Sequence, residues 1–323
     1  MNFFKFDPVF KQTLWGGERI LSYKGISSDR TTIGESWELS ALPGSESVVC
    51  GGEYAGTTLP ELIDRLGPTL VGKHNYDRFG RDFPLLVKFI DARDDLSIQV
   101  HPDDKLAQRR YGRNGKTEMW YVIDAEPGAS LISGFSRPIT MDEYDRRVAD
   151  DTLPEVLARH SITAGDVFFL PAGRVHSIGR GALIAEIQQP SDVTYRISDF
   201  GRVDAAGRPR ELHTEQAREA IDFLVESDYR TRYVRRENQE VRLASTPYFS
   251  TSLYEVDRPI ACDWSPLDSF VCLIFIKGKA CLLDRHGSET TLHQGETVLI
   301  PALSSQVEMI PEADGATFLA CWV

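Results

Sequence analysis

Two histidines, a glutamate and a glutamine stand where this chain could hold a metal. The stretch Leu96-Ser97-Ile98-Gln99-Val100-His101-Pro102 alternates, so Ser97, Gln99 and His101 share one side of a strand and Ile98 and Val100 the other. Ile98 and Val100 read as wall packing, which turns Gln99 and His101 toward an interior. A polar pair buried there costs free energy unless it finds a partner. Glu118, opening the apolar run Glu118-Met119-Trp120-Tyr121, can be that partner. The block Gly165-Asp166-Val167-Phe168-Phe169-Leu170-Pro171-Ala172-Gly173-Arg174-Val175-His176 supplies a second imidazole just after a strand and a Pro/Gly turn. Two imidazoles, a carboxylate and an amide oxygen from three β segments suit a divalent metal.

Other residues with chemistry to offer follow. Leu183, Ala185 and Ile187 alternate with Ile184, Glu186 and Gln188, so Glu186 and Gln188 share a face, and the next strand brings Arg196. An arginine at a strand end ordinarily makes a salt bridge. Beside a metal-bearing barrel mouth its planar fork suits an anion or an oxyanion. Lys88 interrupts the apolar strand pattern of residues 83–91. Such a lysine usually snorkels to an edge, and next to a phosphate it becomes a ligand.

These residues must be positioned by a mainly β chain. Strands are expected at 37–40, 47–50, 83–91, 167–170, 183–188 and 193–197. Thr58-Leu59-Pro60-Glu61, Thr140-Met141-Asp142-Glu143 and Thr152-Leu153-Pro154-Glu155 have capping-box spacing, with Gly67-Pro68 stopping the first helix. Thr214 caps a stronger helix whose stripe is Ala217, Ala220, Ile221 and Leu224. The charged stretch 226–236 reads as a linker. Beyond it no helical period is present, and short strands are expected at 249–254, 270–276, 280–283, 297–300 and 317–322. The segment 165–172 is echoed by Gly295-Glu296-Thr297-Val298-Leu299-Ile300-Pro301-Ala302. Where the first copy has His176, the second has Gln306, and no Gln-x-His pair precedes it. The expectation is two related cupin-like jelly-roll barrels, with a few short helices inserted in and after the first. Residues 1–236 form the catalytic domain and 237–323 a metal-free C-terminal barrel. His286 and His293 fall in a polar hairpin and read as solvated surface.

Composition narrows the partners. The 323 residues carry a net charge of -12, which argues against nucleic acid but not against a small phosphorylated substrate, which needs only a local cluster of cations. Five cysteines, Cys50, Cys262, Cys272, Cys281 and Cys321, include no Cys-x-x-Cys and read as small hydrophobes in a reducing compartment. No signal core or apolar run of roughly 20 residues is present. A cytoplasmic protein with no membrane partner is expected.

Four motifs in order, Gln99-Val100-His101-Pro102, Gly115-Lys116-Thr117-Glu118, Pro171-Ala172-Gly173-x-x-His176 and Ser191-Asp192-x-x-x-Arg196, resemble the type I mannose-6-phosphate isomerases, the cupin-type phosphomannose isomerases, in their shorter bacterial form. The resemblance runs from Trp15-Gly16-Gly17 to about Leu212-His213 and is less distinct beyond. It implies one zinc per chain, held by Gln99, His101, Glu118 and His176, with Arg196 as catalytic arginine and Lys116 before the metal glutamate. Lys88 and Glu186 fall at further site positions. The implied reaction interconverts mannose 6-phosphate and fructose 6-phosphate through a cis-enediol. Lys88, Lys116, Arg196 and Arg202 are the cations for a sugar phosphate, and Lys116 and Glu186 are the candidates to carry the proton if their pKa values are shifted toward neutrality. The extra helical domain of the longer eukaryotic forms has no counterpart here, which implies a more open mouth. Two other classes share part of the pattern. Two histidines and a glutamate in a β-barrel also fit a non-haem iron oxygenase, and a non-catalytic sugar-binding cupin would keep the barrel. Gln99 and the cations favour the isomerase over the first, and the intact ligand set with Arg196 over the second.

Overall fold

The computed structural model describes residues 3–29 and 32–323. Among them the strands form three antiparallel sheets of nine, six and five strands, and the mainly β, cupin-like jelly-roll fold is the one expected. The six-stranded sheet runs Val167–Leu170, Glu118–Ala125, Ala182–Gln188, Leu86–Asp91, Glu35–Leu39, Val9–Lys11. The five-stranded sheet runs Tyr195–Ser198, Ile98–Val100, His176–Ile178, Ser130–Phe135, Leu157–Ser161. The two share one core, in which Ile90, Trp120, Val122, Phe168 and Ile184 meet Leu96, Leu131 and Ile178. The site occupies the polar end of this interior.

The six-stranded sheet is buried on its other face as well. Val87, Phe89, Met119, Tyr121 and Ile187 pack with Phe270, Cys272, Ile274, Leu319 and Cys321 of the C-terminal half. That explains why Glu118–Ala125 and Ala182–Gln188 read as near-continuous apolar runs. The outer face of the five-stranded sheet is covered by the helices Met141–Ala149 and Thr214–Ala220, through Tyr144, Ala217 and Ile221.

In the C-terminal half the expected strands 270–276 and 280–283 are one strand, Val271–Asp284, and 317–322 is the end of Gln306–Trp322. The pair stays hydrogen-bonded along its length, with register shifts between Phe275 and Lys277 and between Gly278 and Ala280. The sheet bends there and wraps a core of Val271, Leu273, Phe275, Leu282, Met309 and Phe318. Gly278 has φ +79, and a Cβ on it would lie 2.1 Å from the Gly315 carbonyl oxygen, so the bend needs glycine. The N-terminal strand Phe4–Asp7 joins this sheet between Thr297–Ile300 and Val48–Val49.

The helices depart from expectation in instructive ways. Thr58 forms a full capping box with Glu61. Thr140 caps the Glu143 amide, but the Glu143 carboxylate is drawn off by Arg137 and Arg147. Thr152 makes no cap, and a 3-10 turn, Leu153–Val156, follows it. Pro68 opens a second short helix, Pro68–Val71, and a third, Lys73–Phe79, comes after it. Around Thr214 the stripe is shorter than expected: His213 is the N-cap, the helix ends at Ala220, Ala217 and Ile221 are buried, and Leu224 is 59% exposed. No helix among the described residues is long and apolar enough to cross a membrane.

Candidate metal centre and substrate cavity

His176 begins its strand directly opposite Gln99, and on the other side of Gln99 stands Arg196. One row across the five-stranded sheet thus carries Arg196, Gln99 and His176. On the facing sheet Glu118 begins the strand Glu118–Ala125 beside Gln188, and one step along lies the row Trp120, Glu186, Lys88, Trp37. The two sheets bring these rows together.

Both imidazoles are fixed by their backbone partners. His101 Nδ1 lies 2.9 Å from the Val193 carbonyl and His176 Nδ1 2.8 Å from the Arg174 carbonyl. A carbonyl only accepts, so each Nδ1 carries the proton and each Nε2 presents a lone pair. Burial lowers both pKa values, His101 well below the ordinary 6.5 with Lys116 and His176 adding to the effect, and His176 to about 4. The Nε2 atoms of His101 and His176 lie 3.7 and 3.4 Å from the two Glu118 oxygens. Acceptors therefore face acceptors. His101 Nε2 and Glu118 Oε1 are shut off from solvent with no hydrogen-bond partner, a costly arrangement for isolated polar atoms. A cation among them removes the cost. The ligand atoms of His101, Glu118 and His176 lie within 4.8 Å of one another. The Gln99 amide joins from the side, its nitrogen 3.3 Å from His176 Nε2; turning the amide over exchanges nitrogen for oxygen. The donor set fits a borderline divalent ion.

Around this group lies a charged lattice. Lys116 Nζ is 3.0 Å from Glu118 and 3.8 Å from Glu186, and Lys88 Nζ is 3.2 Å from Glu186 and 3.7 Å from Glu35. Trp120 Nε1–H donates to Glu186 at 2.9 Å. Burial and the Glu186 charge lift Glu118 to about 7. Burial would lift Glu186 too, but Lys116 and Lys88 outweigh it and hold that carboxyl at about 2. Burial also opposes the Lys116 charge, and Glu118 and Glu186 more than offset it, raising that ammonium above its usual range.

A cavity of about 190 Å³ opens above this lattice, lined by Gln99, Lys88, Lys116, Glu186 and Arg196, with Trp15, Glu35, Trp37 and Arg210 among its other walls. Lys88 is buried and does not snorkel; it lies 5.0 Å from the Trp37 ring centroid. The eight residues singled out from the sequence are therefore gathered at one place: His101, Glu118 and His176 in the metal-type cluster, Gln99 against it and on the cavity wall, and Lys88, Lys116, Glu186 and Arg196 around the cavity. Arg202 is absent from the cavity wall, tied instead to Asp199 and to the Asp95 carbonyl. Trp120, Glu35, Trp37 and Arg210 were not anticipated. Trp120 stands two residues from Glu118 and so on the same strand face, a signal that alternation carries. Arg210 sits in a loop with no pattern to mark it.

The family model for "Phosphomannose isomerase type I, catalytic domain" matches residues 3–127. The mannose-6-phosphate isomerase of Streptococcus mutans is 33% identical over 306 residues, covering 91% of this chain and 92% of that protein. The mannose-6-phosphate isomerase ManA of Bacillus subtilis is 42% identical over 219 residues, 67% of each. A crystal structure of the mannose 6-phosphate isomerase from Bacillus subtilis superposes with a TM-score of 0.90 at 30% identity, covering 100% of both chains. The chain belongs to the type I phosphomannose isomerase family.

Proposed function

We propose that this chain is a zinc-dependent aldose–ketose isomerase that interconverts mannose 6-phosphate and fructose 6-phosphate. The observation that carries the reading is the convergence of the His101, His176 and Glu118 acceptors, with His101 Nε2 and Glu118 Oε1 left unpartnered, buried beneath a cavity lined with cations. Gln99, His101, Glu118 and His176 are the residues to hold the ion. Zinc there would supply Lewis-acid polarisation of the sugar oxygens without redox chemistry. The chain's own residues do the remaining work. Carbon-bound hydrogen leaves C2 of the open-chain aldose as a proton and a proton arrives at C1, while the hydrogen of the C2 hydroxyl passes to O1. The intermediate is a cis-enediol. Lys116 and Glu186 line the cavity 3.8 Å apart and are the groups this reading assigns to the proton. Their pairing, with Glu118 also 3.0 Å from Lys116, holds the carboxyl low and the ammonium high, so the transfer requires the bound substrate to separate them. Arg196, with one Nη bonded to the Glu211 carbonyl at 2.8 Å and its Nε shielded and unpaired, holds the charge that develops on the enediol oxygens. Lys88 supports the substrate from the floor, steadied by Glu186 and Glu35. Residues 1–236 are read as the unit carrying this chemistry and 237–323 as a supporting barrel without a metal.

The deciding experiment is a coupled isomerase assay on mannose 6-phosphate before and after chelation, with metal analysis of protein purified without added metal. The reading expects about one zinc per chain, and activity lost on chelation and restored by zinc. Full turnover in fully metal-free protein would refute metal dependence, and no turnover with zinc bound would refute the isomerase.

A further inference from the structure

A doubly charged phosphate needs cations not already neutralised by neighbours. At the floor of the cavity Lys116 is shared between Glu118 and Glu186, and Lys88 between Glu186 and Glu35. The floor therefore suits sugar oxygens better than a dianion. The mouth is different. Its walls include Arg196 and Arg210. Arg210 shares the single Asp199 carboxylate with Arg202, which leaves positive charge in excess there, and Asp192 on the same wall is engaged by Arg113.

Arg210 is built into place. Asp199, only 5% exposed, accepts Arg210 Nε at 2.7 Å and a second contact from Arg210 Nη2, and accepts Arg202 Nη2 at 2.6 Å. The segment between Asp199 and Arg210 leaves the sheet and returns. Phe200 and Gly201 reverse the chain at φ +56 and +69, Val203 bridges Pro209, and the Asp204 side chain binds the amides of Ala206 and Arg208. The ion pair closes this loop at its base. Two arginines share one carboxylate, with Arg196 close enough to feel the charge of both. Arg210 Nη1 makes no hydrogen bond among the described residues, so the fork keeps donors for a further oxygen anion.

We propose that Arg210, positioned by Asp199, is a recognition residue for the substrate phosphate and sets the preference for a phosphorylated over a neutral sugar. The proposal rests on the isomerase reading above. It makes Asp199 a positioning residue, since its contacts are with the arginines and not with the cavity.

The test uses the zinc-loaded full chain and the variants R210Q, R210K and D199N. Steady-state kinetics on mannose 6-phosphate, calorimetric binding of inorganic phosphate in a phosphate-free buffer, and melting curves are measured together. Loss of a charge-assisted pair should raise KM and weaken phosphate binding by about tenfold to a hundredfold in R210Q, with kcat changing much less. R210K, which keeps the charge and loses the fork, falls between R210Q and the wild type, and D199N shifts KM in the same direction. Wild-type KM and phosphate affinity in R210Q, with only a lower melting temperature, would make Arg210 a structural ion pair and overturn the proposal. Should the wild type fail to isomerise mannose 6-phosphate, the isomerase reading falls by itself, and the phosphate titration still decides whether Arg210 binds the anion.

Discussion

The His101, His176 and Glu118 side chains are arranged at a cost that a folded protein without a ligand has no reason to bear. Two lone pairs and a carboxylate converge in a space closed to water. Removing one imidazole should therefore take the metal with it and leave the fold intact, because the surrounding core is apolar and independent of the ion, unlike a zinc finger. H101A and H176A are each expected to lose metal and activity together while the far-ultraviolet spectrum and cooperative melting persist; full metal occupancy in either would remove that residue from the ligand set. Arg196 makes a sharper case. Its guanidinium touches a backbone carbonyl with one nitrogen and keeps a shielded, unpaired Nε. R196K retains the charge and loses the planar geometry, so kcat should fall on the order of a hundredfold or more, with KM moving far less and zinc retained. Near-normal turnover with a lowered melting temperature would instead make it a strand-end ion pair. These residues were legible because strand alternation sorts polar from apolar positions one by one: Gln99 and His101 line the side opposite Ile98 and Val100, and Glu118 and Glu186 stand in otherwise apolar runs. Arg210 was not legible: its place depends on a loop that returns eleven residues later onto Asp199, and no period marks such a return.

At the scale of elements, the strands that stop at a turn were read well and the strand that bends was not. The strands Val167–Leu170 and Thr297–Ile300 came out at the residues expected from their Gly-acid entry and Pro-Ala exit. Val271–Asp284 looked like two strands because Gly278 suggests a break, yet its hydrogen bonding with Gln306–Trp322 continues past the bend. A glycine in a strand can end pairing or redirect it, and only the neighbouring strand decides which. Here the partner approaches so closely that a Cβ on Gly278 would sit 2.1 Å from a backbone oxygen, at a φ of +79. G278A combines a disfavoured backbone region with a backbone clash, and should destabilise the protein on the order of 3 kcal/mol. Denaturant titration should find a lower midpoint, with turnover per folded molecule unchanged because the bend lies outside the cavity wall. A midpoint equal to wild type would mean that the bend is not held by this contact.

The whole molecule is tied together by a face that sequence alternation cannot separate. In Glu118–Ala125 the inward Glu118, Trp120 and Val122 alternate with Met119 and Tyr121, and both sets are buried, one in the catalytic interior and the other against the C-terminal sheet. The pattern shows that such a strand is covered twice and says nothing of what covers it, so the shared core between the halves was beyond reach, as was the insertion of Phe4–Asp7 into the distant sheet. This shared core has a thermodynamic consequence. Cutting the chain after residue 236 would uncover Val87, Phe89, Met119, Tyr121 and Ile187, and would strip Phe4–Asp7 of its partner Thr297–Ile300. At roughly 1.5–3 kcal/mol for each large apolar side chain, those five alone match the roughly 5–15 kcal/mol that holds a typical domain folded. The truncated chain 1–236 is therefore expected to aggregate or to lack a cooperative transition. The full chain should unfold in a single calorimetric step whose van't Hoff and calorimetric enthalpies agree. Two resolved transitions, or a monomeric 1–236 that melts cooperatively, would mean that the two halves hold their folds separately and that the core between them is only a contact.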